Sequence, residues 1–241
     1  MRKTAFTLTA LLALHSPYLA AQASCSSNGA PRPVALFERF ISADCAACWS
    51  DRATPAPSAS ALVLDWIVPG ALGDDAPLSA AASTDALHRL QALGRQAPAG
   101  TDVFTAPVEG APSARLRVAH GMAFNDYVGT AIAFTPARAA PGRTAAATDW
   151  RFYLLLVEAV PAGTEGSPVA RNMVRNMLQG TWIKRNKLFN REQTHWMEAR
   201  PMRIPDGAQA ERLRVVGWVQ DAQGRVVAAA QSDCGAQPGG R

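Results

Sequence analysis

The chain has 241 residues, of which 48% are hydrophobic, enough for a sizeable core in one large domain or two small ones. Its formal net charge is +5, and it falls to +3 without the two basic residues nearest the N-terminus (24 basic residues less these two, against 19 acidic). So mild an excess gives no indication of binding to nucleic acid or to a membrane surface, and we predict neither.

The first 23 residues have the pattern of a secretory signal peptide. Arg2 and Lys3 form a short positive region, Thr4 to Leu14 is mostly apolar, and residues 21–23 (AQA) are a small-x-small cleavage signal. This apolar run is too short to span a bilayer, and no later run is long and uncharged enough to do so. We therefore predict an exported chain, periplasmic or secreted, that begins at Ser24 and meets oxidising conditions.

Strand and helix patterns alternate in about the first hundred residues. Residues 33–41 (PVALFERFI) and 61–68 (ALVLDWIV) are apolar runs typical of buried strands, and one or two helical turns are expected after the first of them. Residues 83–94 predict a helix, because Ser83 or Thr84 can cap it, leucines form a stripe along it and Gly94 ends it. This alternation predicts a small α/β domain over residues 24–112.

After about residue 112 the pattern changes to that of antiparallel strands. A hairpin is predicted over residues 211–231, with Asp221 and Gly224 bracketing a tight turn. One helix is predicted at residues 171–178, where methionine, valine and leucine side chains form an apolar side. Further strands are expected at residues 114–119, 127–134, 150–160 and 194–202. We predict a β-sandwich-like domain over residues 113–241.

The chain has four cysteines, at positions 25, 45, 48 and 234. An exported protein rarely keeps free thiols, so the economical pairing is Cys25 with Cys234 and Cys45 with Cys48, although four cysteines allow three pairings. A Cys25–Cys234 bridge joins the two ends of the mature chain, and in the chain-entropy model it stabilises the fold by roughly 5 kcal/mol. We assign it a structural role.

The pair in SADCAACWSD (residues 42–51) directly follows an apolar strand and begins a predicted helix. Unpaired N–H groups at a helix N-terminus stabilise a thiolate, which favours Cys45 as the nucleophile and Cys48, one turn later, as the resolving thiol. Asp44 opposes this, because an adjacent carboxylate disfavours a thiolate.

Three other interpretations of this pair remain open. It is a structural bridge, it contributes to a zinc site, or it binds copper together with Met173, Met177 or His195 in a metallochaperone. A zinc site needs two more ligands, and no second C-x-x-C or H-x-x-H lies nearby. We predict no metal ion and no cofactor.

Residues 34–48 (VALFERFISADCAAC) resemble the head of the secreted thioredoxin-like proteins of domain-of-unknown-function family 1223, in which an apolar strand leads into E-L-F-T-S-x-x-C-x-x-C. The matching residues are Glu38, Phe40, Ser42, Cys45 and Cys48. Residues 103–107 (VFTAP) are similar to the family's V-Y-T-P segment, with the proline one residue later. The residues similar to the family's Asn-x-Val-Val-Arg…Gly-x-Trp stretch are Asn172, Val174, Arg175, Gly180 and Trp182. An aromatic, Asp-rich stretch of the family is reduced here to Asp65-Trp66.

The resemblance implies a thioredoxin-like domain followed by a β-rich domain, and no established activity. It also implies that Pro107 is the cis proline that faces the cysteine pair in thioredoxin folds and helps to hold the substrate backbone.

Glu38 lies seven residues before Cys45 on a strand that is otherwise apolar. A buried carboxylate beneath a dithiol can relay the proton of Cys48 during exchange. The alternative is an ion pair between Glu38 and a neighbour such as Arg39 or Arg117. On these grounds we expect a thiol-disulfide oxidoreductase that acts on a protein dithiol or disulfide, and as the rival a non-catalytic binding or assembly module with a structural bridge.

Overall fold

The structure, a computed structural model, describes residues 25–52, 58–137, 149–183 and 194–234. The described chain forms strands β1 Cys25–Ser26, β2 Ala35–Ser42, β3 Ala61–Val68, β4 Thr101–Pro107, β5 Arg115–Phe124, β6 Tyr127–Thr135, β7 Trp150–Val160, β8 Arg171–Trp182, β9 Trp196–Arg203, β10 Leu213–Gln220 and β11 Val226–Gln231. Its α-helices are α1 Ala46–Ser50 and α2 Thr84–Ala92. The predicted signal peptide, residues 1–23, lies outside these ranges. Within them, no helix has the length and apolar character needed to cross a membrane.

The smaller sheet has four antiparallel strands in the order β1-β5-β6-β9. A two-residue turn joins β5 to β6, and its residues Asn125 and Asp126 both have positive φ angles, 46° and 61°. Asparagine and aspartate tolerate this left-handed backbone, which matches the twist of a hairpin. Alternate residues of β6 (Val128, Thr130, Ile132 and Phe134) are buried, so the sheet has one face in the core.

The larger sheet has seven strands in the order β11-β10-β7-β8-β3-β2-β4. Its pairs β2–β3 and β3–β8 are parallel, and the others are antiparallel. The two edges meet at one end, where Val108 bridges to Val226 and the Glu109 N–H donates to the Val226 carbonyl oxygen at 2.8 Å. The sheet is therefore strongly curled, and α2 packs Ala86 and Leu90 into the core on one of its faces.

The two sheets pack against each other through β5, β6, β7 and β10. Gly217 on β10 allows their close approach. A Cβ at this position would lie 2.8 Å from Val118 Cγ1 and 3.0 Å from Ile132 Cδ1, so the facing side chains would have to shift to admit a methyl group. The middle strands of the larger sheet are thus buried on both faces, which explains the nearly continuous apolar runs of β3 and β7.

The predicted fold class, an α/β thioredoxin-like domain followed by a β-sandwich-like domain, is wrong. Of the described residues, 51% lie in strands and 12% in helices, and these residues form two sheets. The physical reason is that β2, β3 and β4 do not complete a sheet of their own. β3 instead pairs with β8, with Asp65 opposite Met173. The predicted boundary at residue 112 falls between β4 and β5, and the larger sheet takes strands from both sides of it.

Several local predictions are confirmed. The strands at residues 61–68 and 150–160 have the predicted bounds, α2 is capped by Ser83, and β10 and β11 form the predicted hairpin. The helix predicted at residues 171–178 is wrong, because these residues belong to β8. Met173 and Val174 are consecutive residues that are both buried, one on each face of the sheet. The sequence here therefore lacks the alternation of apolar and polar residues that indicates a strand with one buried face.

Candidate functional site

The cysteine pair lies where β2 leaves the larger sheet. The Cys45 N–H donates to the Ser42 carbonyl oxygen at 3.1 Å, and α1 begins at Ala46 with Cys45 as its N-cap. Cys45 and Cys48 form a disulfide. Both residues are partly exposed. An incoming thiolate can therefore approach the bridge, which complete burial would prevent.

The local backbone favours negative charge on Cys45. Its Sγ accepts a hydrogen bond from the Cys48 N–H at 3.2 Å while the disulfide is intact. A sulfur anion accepts such a bond more strongly than a neutral sulfur does, so this donor stabilises the thiolate that reduction creates.

The carboxylate of Asp44 has partners of its own in the loop after β3. Its Oδ2 accepts from the Ala71 N–H at 2.7 Å and its Oδ1 from the Leu72 N–H at 3.3 Å. The side chain packs closely over Gly70, where a Cβ would overlap the carboxylate. These contacts hold the Asp44 side chain against the loop after β3, next to the cysteine pair.

The C-terminal end of α1 is fixed by two side chains. Trp49 is buried, and its Nε1–H donates to the Glu165 carbonyl oxygen at 2.7 Å. Arg171, at the start of β8, donates from Nη2 to the carbonyl oxygens of Trp49 at 2.7 Å and Asp51 at 3.0 Å. Its guanidinium carbon also lies 5.2 Å from the centre of the Trp49 ring. The carbonyl oxygens at the end of a helix have no hydrogen-bond donor within that helix, and here the Arg171 guanidinium supplies the donors.

Behind Arg171 lies a buried carboxylate, Asp65 on β3. Its Oδ1 accepts from Arg39 Nη1 at 2.8 Å and lies 3.6 Å from Arg171 Nη1, and its Oδ2 accepts from the Asn172 N–H at 2.8 Å. Burial raises the pKa of Asp65 from 3.8 to about 6, while Arg39 and the Asn172 N–H limit the rise. Sequence reasoning treated Asp65 only as the remnant of a family motif. The signal that was available is a single carboxylate inside the apolar run ALVLDWIV.

Glu38 is buried on β2 and interacts with residues other than those proposed from the sequence. It accepts from Arg89 of α2, with Nε–Oε1 at 2.9 Å and Nη2–Oε2 at 2.5 Å, and from Trp66 Nε1 at 3.2 Å. Of the two expected partners, Arg39 pairs with Asp65, and Arg117 donates to Asn28. Glu38 and Arg89 lie on the sheet face that carries α2, whereas Trp49 of α1 packs in a separate core cluster with Ile41 and Ile67. The structure therefore does not bring Glu38 to the cysteine pair.

Pro107 is also distant from the cysteine pair. It lies opposite Ala35, whereas Thr101, at the other end of β4, lies opposite Ile41. Six residues of extended strand place Pro107 about 20 Å from the end of β2 that leads to Cys45. No peptide bond in the described ranges is cis. The N–H of Val108 donates to Val34, so the nitrogen of Pro107 points away from β2, towards the edge that meets β11, and a proline there removes no hydrogen bond between β4 and β2.

The second disulfide joins Cys25 to Cys234. Ligand atoms of Cys25, Cys234 and His120 lie within 4.8 Å of one another, and burial lowers the pKa of His120. The two sulfurs are, however, bonded to each other, whereas a metal site requires them as thiolates. As a disulfide, Cys25 and Cys234 link the two ends of the described chain covalently.

The residues considered for copper are dispersed. Met173 packs in the core cluster that Cys48 borders, but Met177 packs with the core of the opposite sheet face. His195 lies near the smaller sheet, where its Nδ1 is 3.1 Å from Thr135 Oγ1. The structure does not assemble these three side chains around the cysteine pair.

Comparisons with known proteins give little. No family model matches the chain, and no curated protein matches it. Among solved structures, the chain is similar to HBP35 of Porphyromonas gingivalis, with 12% sequence identity, 83% of this chain and 74% of that chain covered, and a TM-score of 0.46. A likeness at this level establishes neither a shared fold nor a shared function.

Proposed function

We propose that the protein is exported and performs thiol-disulfide exchange through Cys45 and Cys48. The observation that supports this most is a partly exposed C-x-x-C disulfide whose first sulfur is the N-cap of α1 and accepts an N–H hydrogen bond. Accessibility and thiolate stabilisation are the two properties that separate reactive cysteines from inert ones.

The exchange follows from these positions. A thiolate of a partner protein attacks Cys45 Sγ, the Cys45–Cys48 bond breaks, and Cys48 leaves as a thiolate that takes up a proton. A second thiolate of the partner then attacks the mixed disulfide at the partner's own sulfur and releases Cys45 as a thiolate. The partner gains a disulfide and the protein a dithiol, so two electrons pass from the partner to the protein. The reverse sequence reduces a partner disulfide.

A second candidate is a non-catalytic binding or assembly module in which this disulfide is structural. The attachment of α1 through Trp49 and Arg171 favours this candidate, because a structural disulfide joins segments that are held in fixed positions. Membership of domain-of-unknown-function family 1223, which we infer from residues 34–48, is compatible with either candidate.

A redox titration in glutathione buffers tests the proposal. The protein is equilibrated at a series of potentials and alkylated, and Cys45 and Cys48 are followed by mass mapping, with Cys25 and Cys234 as the internal control. We expect a midpoint of roughly −120 to −270 mV and alkylation of Cys45 before Cys48. A midpoint below about −300 mV, or resistance to reduction until the protein unfolds, would establish the structural role instead.

A further inference from the structure

The polar cluster beneath α1 carries an excess of positive charge. It contains the guanidinium groups of Arg39 and Arg171 and one carboxylate, Asp65, all at most 6% exposed. Arg171 Nη1 is buried and, among the described residues, has no hydrogen-bond partner, while its distance to Asp65 Oδ1 is 3.6 Å. One of the two positive charges is therefore not neutralised by a carboxylate in this cluster.

This charge lies close to the cysteine pair. Arg171 binds the carbonyl oxygen of Trp49, the residue that follows Cys48. α1 is only five residues long and Arg171 binds the carbonyl oxygens at its far end, so the helical rise plus one hydrogen bond places the guanidinium roughly 10 Å from the N-cap sulfur. A positive charge at this distance and in a partly buried setting favours a thiolate over a thiol.

We propose that the Asp65–Arg171 pair sets the redox potential of Cys45–Cys48: Arg171 is a positioning residue that holds α1 and supplies the charge favouring the reduced form, and Asp65 limits that charge. This inference rests on the exchange function proposed above and specifies what regulates it. The relevant equilibrium is protein disulfide plus two glutathione thiols giving protein dithiol plus glutathione disulfide.

The two residues have opposite effects on this equilibrium. Arg171→Met removes the positive charge, so the reduced form loses stability and the pair becomes less oxidising. Asp65→Asn keeps the shape of the side chain but removes its negative charge, so the reduced form gains stability and the pair becomes more oxidising. A purely mechanical role predicts shifts in the same direction for both variants, because both would loosen the attachment of α1.

The experiment measures this glutathione equilibrium, and the pH profile of Cys45 alkylation, in the full mature chain. We expect a change of about tenfold in each direction, which for a two-electron couple corresponds to about 30 mV. The separate variant Arg171→Lys, which retains the charge, should have an equilibrium constant within about threefold of the wild-type value. Glu38→Gln is the matched control, because Glu38 is an equally buried, Arg-paired carboxylate on the adjacent strand and the opposite sheet face. It should leave the equilibrium unchanged.

Shifts in the same direction, no shift in either variant, or an equal shift in Glu38→Gln would overturn the inference. If Arg171→Met does not fold, Arg171→Lys and Asp65→Asn still decide the question. A wild-type pair that exchanges normally, with variants that do not shift, would refute only this inference. A wild-type pair with the potential of a structural bridge would instead refute the exchange function.

Discussion

The two disulfides should differ sharply in what they contribute to stability. Cys25–Cys234 spans a sequence separation of 209 residues and Cys45–Cys48 a separation of 3. In the chain-entropy model, closing loops of these sizes constrains the unfolded chain by about 5 kcal/mol and about 2 kcal/mol, respectively. We therefore expect Cys25→Ser/Cys234→Ser to lose about 5 kcal/mol of unfolding free energy and Cys45→Ser/Cys48→Ser no more than about 2 kcal/mol. A bridge that opens and closes during exchange must not carry most of the stability of the fold.

Urea unfolding of the wild type and of both double variants, followed by tryptophan fluorescence, measures these differences. The m-values should remain similar, so that midpoint changes report stability. The reasoning would be refuted if Cys45→Ser/Cys48→Ser lost as much stability as Cys25→Ser/Cys234→Ser. That outcome would show that α1 and its surroundings depend on the short bridge, and the pair would then be structural.

Three single substitutions test other features of the structure. The pKa of Asp65 is raised from 3.8 to about 6, so its contribution to stability is complete below pH 3.8 and is lost as the pH rises through 6. Relative to Asp65→Asn, the wild-type unfolding free energy should therefore fall by about 3 kcal/mol between pH 3 and pH 7; parallel pH profiles would contradict this. Gly217→Ala should lower the unfolding free energy measured in urea by about 1–3 kcal/mol, because the new Cβ would lie 2.8 Å from Val118 Cγ1. An unchanged urea midpoint would mean that the two sheets move apart to admit the methyl group without loss of stability. Ser83→Ala removes the Oγ that accepts from the Asp85 N–H at 3.0 Å and should cost about 1 kcal/mol, with loss of helical circular dichroism; no change would show that α2 does not need its cap.

The candidate site was only partly accessible to sequence reasoning. Cys45 and Cys48 were found because their spacing, after an apolar strand and before a helical turn, is a local pattern. Asp65 and Arg171 were missed because they are more than a hundred residues apart and meet only through the pairing of β3 with β8. Glu38 was noticed as a buried carboxylate, but the sequence could not indicate which face of the sheet it would occupy relative to α1.

The sequence by itself determined most of the strands, helix α2 and the position of the cysteine pair, because each depends on residues that are neighbours in the chain. Periodicity, capping residues and turn residues act over a few positions, and the structure retains these local preferences. Tertiary structure alone decided that both halves of the chain contribute to one curled sheet, that residues 171–178 extend as part of β8, and that a charged cluster lies beneath α1. These features arise from hydrogen bonds and burial between distant segments, and the local pattern of a strand carries no information on which other strand it will pair with.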